Sequence, residues 1–521
     1  MTQRPSLGQR ASGVLLHVTS LPSPHGIGDL GPQAHEFVQF LSHTRQGWWQ
    51  MFPLGHPGMG NSPYASISAH AGNPLLVSLD FLREDGLLQA DELRGEGDRN
   101  ATKVDFERAW AFKIPRLRRA YERFSERSRD RARFDAFCKK NAAWLDDYAL
   151  FSALKDEMRG TAWTQWPVDL RRRKPSALRQ VADDLNREIG FYQFIQFQFD
   201  AQWERLRDAC RQKGIGLMGD IPIFVAHDSA DVWANPDLFF LDATGNPIYV
   251  AGTPPDYFSS SGQRWGNPLY RWKVMKKDGY AWWLGRFKSL FEKFDAARLD
   301  HFIGFQRYWR IPGKDHTAAH GVFMPGPRDD FFRTVLKKLG KLELIAEDLG
   351  LVTPEVKALR DRFNFPGMRV LQFAFGSDPE AGNYLPYSFP HNCVAYTGTH
   401  DNDTTVGWFH DNGTHGGTRN RDEIRREREQ VLRYVGTDGR EINWDLIRVA
   451  FQSVANTAII PAQDLLGLGS EARMNTPGTG EGNWEWRFRK GDFDSRVADR
   501  LLMMTEIYGR KSKVKETRDR A

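Results

Sequence analysis

Four carboxylates in this 521-residue sequence each follow a short apolar run, and they are Asp220, Asp300, Glu347 and Asp401. An apolar strand that delivers an acid at its carboxyl end is how a (β/α)8 barrel builds an active site. Several acids that converge in one pocket, without a metal-type cluster, indicate nucleophilic and acid/base chemistry on a sugar bond.

Asp300 lies two residues after Arg298, so the two side chains share one face of a strand. A neighbouring arginine favours the ionised form of a carboxylate. An ionised, oriented Asp is what a glycosidic nucleophile requires. A purely structural Arg–Asp pair is the alternative, and we would prefer it if the other acids were absent.

Glu347 and Asp401 have surroundings suited to different roles. A partly desolvated Glu347 could protonate a leaving glycosidic oxygen and later deprotonate an incoming one. A helix N-cap is the alternative, although Asp348 could fill that position. Asp401 follows His400, and the two could bind neighbouring sugar hydroxyls and stabilise positive charge at the ring, but Asp-rich turns look similar. We interpret Asp220 as a supporting residue.

The elements that must position these acids form a regular series. Eight strand candidates are predicted at 14–19, 49–54, 214–225, 297–300, 342–347, 368–375, 394–397 and 458–461. Helical periodicity fits the intervals at 34–42, 197–213, 329–339 and 354–363. Alternating strands and helices favour a parallel sheet. The sequence therefore predicts an α/β fold, a (β/α)8 TIM barrel with mainly helical subdomains inserted in its loops.

Two long intervals interrupt the series. Residues 80–195 carry charged amphipathic helix patterns, notably at 106–127 and 134–158, and predict a helical insertion between strands 2 and 3. Residues 226–296 are rich in Pro, Gly, Trp and Tyr and predict an irregular, loop-rich insertion between strands 3 and 4. We expect one catalytic barrel over 1–521, with a separate helical domain as the alternative.

Residues 26–31 match G-x-G-x-x-G after an apolar strand, which is the best case for a dinucleotide-binding enzyme. The context argues against it. Leu21-Pro22-Ser23-Pro24 separates the strand from the first glycine, so the tight strand-to-helix turn is missing. The acid expected about 20 residues further on is also missing, since that region reads Trp48-Trp49-Gln50.

Composition excludes several function classes. Apolar residues make up 40% and charged residues 26% of the chain, as in globular proteins. The net charge of +6 is spread over interleaved Lys, Arg, Asp and Glu, and the mixed stretch 419–433 favours a solvated helix face over nucleic-acid binding. Aromatic residues reach 13%, with 17 Trp, which suits either a sugar-binding cleft or a large core.

Three scattered cysteines, Cys138, Cys210 and Cys393, are too few for a disulfide framework or a zinc site. They fit a reducing cytosol, and the N-terminus shows no signal-peptide pattern. No apolar run approaches the ~20 residues of a membrane span. We therefore expect a cytoplasmic protein that binds neither membranes nor nucleic acid, and its oligomeric state stays open.

Several longer segments carry a family resemblance. They are 55–73 (GHPGMGNSPYASISAHAGN), 219–225 (GDIPIFV), 254–270 (PPDYFSSSGQRWGNPLY), 298–305 (RLDHFIGF), 345–350 (IAEDLG), 396–404 (YTGTHDNDT) and 461–486 (PAQDLLGLGSEARMNTPGTGEGNWEW). Together they make the chain resemble the 4-α-glucanotransferases, also called amylomaltases or disproportionating enzymes, of the α-amylase superclan.

The resemblance implies roles for individual residues. Asp300 would be the nucleophile, Glu347 the general acid/base and Asp401 the transition-state stabiliser. The implied substrate-binding residues are Tyr64, Asp220, Tyr257, Phe258, Trp265, Arg298, His400, Asn475 and Pro477. No metal and no cofactor are implied, because the donor glycosidic bond supplies the energy of the reaction.

The implied reaction moves a segment of an α-1,4-glucan (maltooligosaccharide, glycogen or starch) to the 4-hydroxyl of another glucan or of glucose. A retaining double displacement predicts carboxyl groups ~5–5.5 Å apart, against ~6.5–9.5 Å for inversion. An α-1,4-glucan hydrolase of the same superclan is the alternative. A non-catalytic glucan-binding protein is less consistent, because it would be expected to lose one of the three catalytic acids.

Overall fold

The computed structural model describes residues 5–95, 101–126, 130–255, 262–413 and 420–512. A closed barrel of parallel strands forms its centre, which confirms the predicted TIM barrel. The barrel strands are β1 (Ala11–Leu15), β2 (Trp48–Gln50), β3 (Gly216–Pro222), β6 (Ala296–Asp300), β9 (Leu344–Ala346), β10 (Gly367–Val370), β11 (Cys393–Tyr396) and β12 (Thr457–Pro461). Their order around the barrel is β1–β12–β11–β10–β9–β6–β3–β2, with β2 pairing back to β1.

Each predicted strand overlaps one barrel strand, but the bounds differ. The prediction at 14–19 starts and ends late, because β1 stops at Leu15 and a 3-10 turn follows at Val18–Ser20. Every residue of β1 and of β12 is buried, as expected for a parallel sheet covered on both faces. Gly13 permits this packing, since a Cβ there would lie 2.4 Å from the carbonyl oxygen of Trp48.

Helices surround the barrel and fill the two long intervals. They are α1 (Pro32–His43), α2 (Leu79–Glu84), α3 (Phe106–Ser125), α4 (Arg131–Glu157), α5 (Val168–Arg171), α6 (Pro175–Asp184), α7 (Asn186–Gln212), α8 (Ala230–Ala234), α9 (Trp272–Lys277), α10 (Ala281–Lys293), α11 (Ile303–Gln306), α12 (Arg328–Leu339), α13 (Pro354–Arg362), α14 (Thr405–His410), α15 (Arg421–Val435), α16 (Ile442–Gln452), α17 (Ala462–Leu466) and α18 (Ser495–Ile507). The helices predicted at 34–42, 329–339 and 354–363 correspond to α1, α12 and α13, and the one at 197–213 is the second half of α7.

The helices between β2 and β3 are attached to the barrel by a buried ion pair. Lys113 of α3 donates to Asp29 Oδ2 at 2.8 Å and to the carbonyl oxygen of Leu75 at 2.7 Å. Asp29 also accepts from the backbone N–H of Gly31 at 3.0 Å. The acid within the glycine-rich stretch 26–31 therefore holds the helical region in place.

A second, antiparallel sheet lies outside the barrel and was not predicted. Its strands are β4 (Tyr249–Thr253), β5 (Gln263–Pro268), β7 (Arg307–Pro312) and β8 (Val322–Pro325), in the order β5–β4–β7–β8. The interval 226–296 thus contains helices and two strands, where the sequence indicated irregular loops. Val250, Ile311 and Ala318 form a small apolar core on this sheet.

Two arginines, Arg10 and Arg510, join the N-terminal and C-terminal segments of the barrel. The guanidinium of Arg510 is fully buried and donates to the carbonyl oxygens of Ala11, Phe451 and Ser453. Arg10 donates to the carbonyl oxygens of Phe451 and Ser453, each at 2.8 Å. None of the helices in the described ranges is both long and apolar enough to cross a membrane.

Candidate active site

Strand register brings the acids together at the carboxyl end of the barrel. Asp220 on β3 is paired directly with Arg298 on β6. On the other side of β6, Leu299 pairs with Ala346 of β9, and the N–H of Glu347 donates to the carbonyl oxygen of Leu299 at 3.1 Å. Continuing this register by one residue places Asp300 beside Glu347.

Arg298 is the centre of the polar cluster. Its guanidinium contacts Asp220 Oδ2 at 2.7 Å, Asp300 Oδ1 at 2.8 Å and the hydroxyl of Tyr64 at 3.2 Å. Burial lowers the pKa of Arg298, but Asp220 and Asp300 outweigh burial and raise it well above its usual range. Arg298 therefore stays charged, and Asp300, with 29% of its side chain exposed, faces the cleft as an oriented carboxylate.

Asp220 lies behind this cleft and differs from Asp300 in burial. Its side chain is only 1% exposed, and its Oδ2 also accepts from the Tyr64 hydroxyl at 2.8 Å. Burial raises the pKa of Asp220 to about 7, against the opposing effect of Arg298. Burial likewise raises the pKa of Tyr64, so its hydroxyl remains a donor.

Glu347 is held by two backbone donors. The N–H of His301 donates to its Oε2 at 2.8 Å, and the N–H of Leu349 donates to its Oε1 at 2.9 Å. Burial, followed by the charge of Asp300, raises the pKa of Glu347 to about 8. At neutral pH the carboxyl is therefore mainly protonated, which is the state that a general acid requires.

Asp401 is more exposed than Asp220 and Asp300, with 49% of its side chain accessible. Asn475 donates to its Oδ1 at 2.6 Å, and His400 Nε2 lies 3.4 Å from the same oxygen. Arg473 donates to the carbonyl oxygen of Asp401 at 2.8 Å. These contacts fix the loop from 399 to 405 that presents Asp401 to the cleft.

Aromatic rings form a wall next to the carboxylates. The ring of Tyr64 stacks on His400 with centroids 5.0 Å apart, and Trp484 packs against both rings at 5.5 and 5.7 Å. Phe52 meets His400 edge-on at 4.9 Å. Flat apolar faces beside polar groups are what a pyranose ring binds, because its C–H faces pack on the rings while its hydroxyls find hydrogen-bond partners.

Comparison with known proteins decides the family. A family model described as 4-alpha-glucanotransferase matches residues 16–492. The chain belongs to the 4-α-glucanotransferase family. A 4-alpha-glucanotransferase of Synechocystis sp. is 47% identical over 97% of this chain and 99% of that protein, and one of Thermus thermophilus is 44% identical over 95% and 98%.

A plant relative and a solved structure agree with this assignment. The chloroplastic or amyloplastic 4-alpha-glucanotransferase of Arabidopsis thaliana is 42% identical over 96% of this chain and 86% of its own length. The amylomaltase of Streptococcus agalactiae, solved in complex with acarbose, superposes with a TM-score of 0.91 at 36% identity and covers 96% of this chain and 100% of that one.

Most of the residues predicted for a 4-α-glucanotransferase site lie together in this cluster. Tyr64, Asp220, Arg298, His400 and Asn475 join the three acids through the contacts described above. Trp265, on β5, is 39% exposed and contacts the cluster through His301. Pro477 lies in an exposed turn two residues beyond Asn475. Tyr257 and Phe258 lie outside the described residues.

Sequence reasoning missed three residues of the site. His301 binds Glu347 through its backbone, Trp484 completes the aromatic wall, and Asp464 accepts from Thr397 Oγ1 and from the N–H and Oγ1 of Thr405, which flank the Asp401 loop. A signal existed for His301, since it directly follows Asp300. The roles of Trp484 and Asp464 depend on contacts with residues far away in the chain.

Proposed function

We propose that the protein transfers a segment of an α-1,4-glucan to the 4-hydroxyl of an acceptor glucan or of glucose, by a retaining double displacement. Asp300 attacks the anomeric carbon while Glu347 protonates the departing 4-oxygen, which gives a covalent glucosyl-enzyme. Glu347 then takes a proton from the 4-hydroxyl of the acceptor, whose oxygen displaces Asp300. Asp401 and His400 bind the hydroxyls of the reacting sugar and stabilise its positive charge.

One observation carries this proposal: two adjacent carboxyl groups have different environments, one paired with an arginine and one buried with a raised pKa. Asp300 is paired with Arg298 at 2.8 Å, whereas burial raises the pKa of Glu347 to about 8. A carboxylate oriented by an arginine, next to a buried carboxyl of raised pKa, is the arrangement that the nucleophile and the acid of a glycosidic reaction require. Substrates would be maltooligosaccharides, glycogen or starch.

Transfer and hydrolysis share the first half of this mechanism and differ in what intercepts the intermediate. Water is present at roughly 55 M, so transfer requires an acceptor bound in place and water kept out. Trp265 provides an exposed aromatic surface beside His301 for such an acceptor. Tyr257 and Phe258 remain predicted members of the same acceptor site.

Incubation with pure maltotriose tests the proposal. Transfer produces glucose together with a ladder of longer maltodextrins, because one donor segment is added to another maltotriose. Hydrolysis produces glucose and maltose without longer products, and that outcome would establish the hydrolase alternative. If the folded protein forms no products from maltotriose, it is a glucan-binding protein without activity.

A further inference from the structure

His301 connects two parts of the cleft that come from different regions of the chain. Its backbone N–H donates to Glu347 Oε2 at 2.8 Å. Its imidazole meets the indole of Trp265 edge-on, with centroids 4.8 Å apart and planes at 89°. The main chain of His301 thus contacts the acid/base carboxyl, while its side chain contacts the strand that borders the proposed acceptor site.

The backbone of His301 has an unusual conformation. Its φ is 52°, in the left-handed region that residues other than glycine seldom adopt, with Asn, Asp and His the more frequent exceptions. The surrounding bonds maintain it: the N–H of Phe302 donates to the carbonyl oxygen of Glu347 at 3.2 Å, and the N–H of Gly304 donates to that of His301 at 2.9 Å. Strained residues of this kind persist where the neighbouring structure fixes them, and they cluster at active sites.

We propose that His301 is a positioning residue: its left-handed backbone directs an N–H to Glu347, and its ring holds Trp265, so that the acid/base carboxyl and the acceptor side keep one fixed geometry. The inference rests on the proposed transfer function. It assigns two separable effects to one residue. The backbone controls proton transfer by Glu347, and the ring controls which acceptor captures the glucosyl-enzyme.

The charges around Glu347 make these effects measurable. Among the residues that the structure describes, five titratable or charged groups face Glu347. Arg298, Asp300 and His301 come from β6 and the residue after it, Asp348 is the next residue in the chain, and Tyr384 comes from the turn at Ala381–Tyr384. Burial lowers the pKa of His301 to about 4, so its ring is neutral throughout the range where Glu347 titrates. Removing the ring therefore changes no charge beside Glu347, whereas losing the N–H bond destabilises its ionised form.

The experiment compares His301→Gly with His301→Val, since both lack the ring and only valine opposes the left-handed backbone. The readouts are the basic limb of kcat/KM against pH and the ratio of transfer to hydrolysis with maltotriose. Trp265→Ala is included as a variant that removes only the ring contact. Arg159→Val is the matched control, because Arg159 is exposed, has a φ of 51° and lies two residues beyond the end of α4.

We expect His301→Gly to keep the wild-type basic limb, and His301→Val to lose about 10- to 100-fold in kcat with its basic limb about one pH unit higher. Both variants and Trp265→Ala should lower the transfer ratio about 3- to 10-fold. Arg159→Val should lose stability and change neither readout.

Identical basic limbs in the Gly and Val variants would overturn the backbone effect. An unchanged transfer ratio in His301→Gly and in Trp265→Ala would overturn the ring effect. If the Val variant does not fold, His301→Ala against His301→Gly gives the same comparison with a smaller shift. Wild-type protein that makes no maltodextrin ladder would contradict the proposed function itself, which separates that failure from failure of the inference.

Discussion

Asp29–Lys113 and Asp220–Arg298 are both ion pairs with almost no exposed surface, and they differ in what surrounds them. Asp29 uses both carboxylate oxygens, one for Gly31 and one for Lys113, and Lys113 also binds the carbonyl oxygen of Leu75. Asp220 receives both of its bonds on Oδ2, and its Oδ1 has no partner among the described residues.

The cations differ in the same way. Lys113 is a single charge that serves one carboxylate, whereas the forked guanidinium of Arg298 reaches Asp220, Asp300 and Tyr64 together. In the Asp29–Lys113 pair, the carboxylate and the ammonium bind each other and nearby backbone groups, and the pair holds the helical region to the barrel. In the Asp220–Arg298 pair, the guanidinium also contacts Asp300, a carboxylate that faces the cleft. A buried ion pair is thus not in itself a mark of function. What distinguishes the second pair is that its cation also contacts an additional acid, Asp300, which faces the cleft.

The largest expected effect comes from removing that additional acid. Asp300→Ala should lower kcat at least about 10,000-fold, because the variant lacks the carboxylate that forms the covalent intermediate. Binding of maltodextrin, measured by calorimetry, should persist, since the aromatic wall is unchanged. Near-normal turnover in this variant would show that the nucleophile is misassigned. Asp29→Ala, the corresponding change in the Asp29–Lys113 pair, should keep kcat and lower the free energy of unfolding.

Replacing the two cations tests the comparison directly. Arg298→Met should lower kcat about 100- to 1,000-fold, because Asp300 loses its orienting charge. Lys113→Met should leave kcat near the wild-type value and reduce the free energy of unfolding by about 3–5 kcal/mol, because Asp29 is left buried without its partner.

Urea denaturation and steady-state kinetics on both variants give these values. Asp29→Leu combined with Lys113→Met should recover part of the lost stability, since an apolar pair removes the uncompensated charge. A large loss of kcat in Lys113→Met would break the distinction between the two pairs.

The pH dependence gives a smaller effect, and it depends on Glu347 rather than on the Asp29–Lys113 pair. Because Glu347 must be protonated to act as the acid and its pKa is raised to about 8, kcat/KM should fall about tenfold per pH unit above that value. A maltosyl fluoride donor should lose this basic limb, since fluoride departs without protonation. Lys113→Met should keep the limb at the same pH, which serves as the control.

The smallest effect concerns the hydroxyl of Tyr64. Tyr64→Phe keeps the ring against His400 and removes one donor to Asp220, so kcat/KM should fall about 2- to 10-fold, as for loss of one hydrogen bond. A loss as large as that of Arg298→Met would mean that Tyr64 does more than support Asp220. Steady-state kinetics with maltotriose as donor distinguish the two outcomes.

The barrel and the acids could be predicted because each depends on local pattern. Buried parallel strands leave continuous apolar runs, and Asp300 and Glu347 end two of them. The outer sheet left no such trace: β7 reads Arg307–Pro312 and contains two arginines and a proline, and β8 is four residues long. Its pairing with β4 and β5 joins segments that sequence pattern alone cannot match.

Long-range partners and backbone strain were beyond sequence reasoning. Asp29 lies in a glycine-rich stretch that resembles a nucleotide-binding loop, and its partner Lys113 is 84 residues away. The left-handed conformation of His301 cannot be inferred from the residue type, because residues other than glycine seldom adopt it even though histidine is among the more frequent exceptions. The acidic residues of the site were predictable, and the contacts that give each of them a different environment were not.

The hydrogen bond between Arg510 and Ala11 has a consequence for how the protein folds during its synthesis on the ribosome. The two residues are 499 positions apart, and β1 also needs β12 as its second neighbour. At roughly 5–20 residues per second, translation separates the two by about 25–100 s. For most of that interval, until β12 emerges, the first strand has one unpaired edge, so we expect nascent chains of this protein to depend on chaperones during that time.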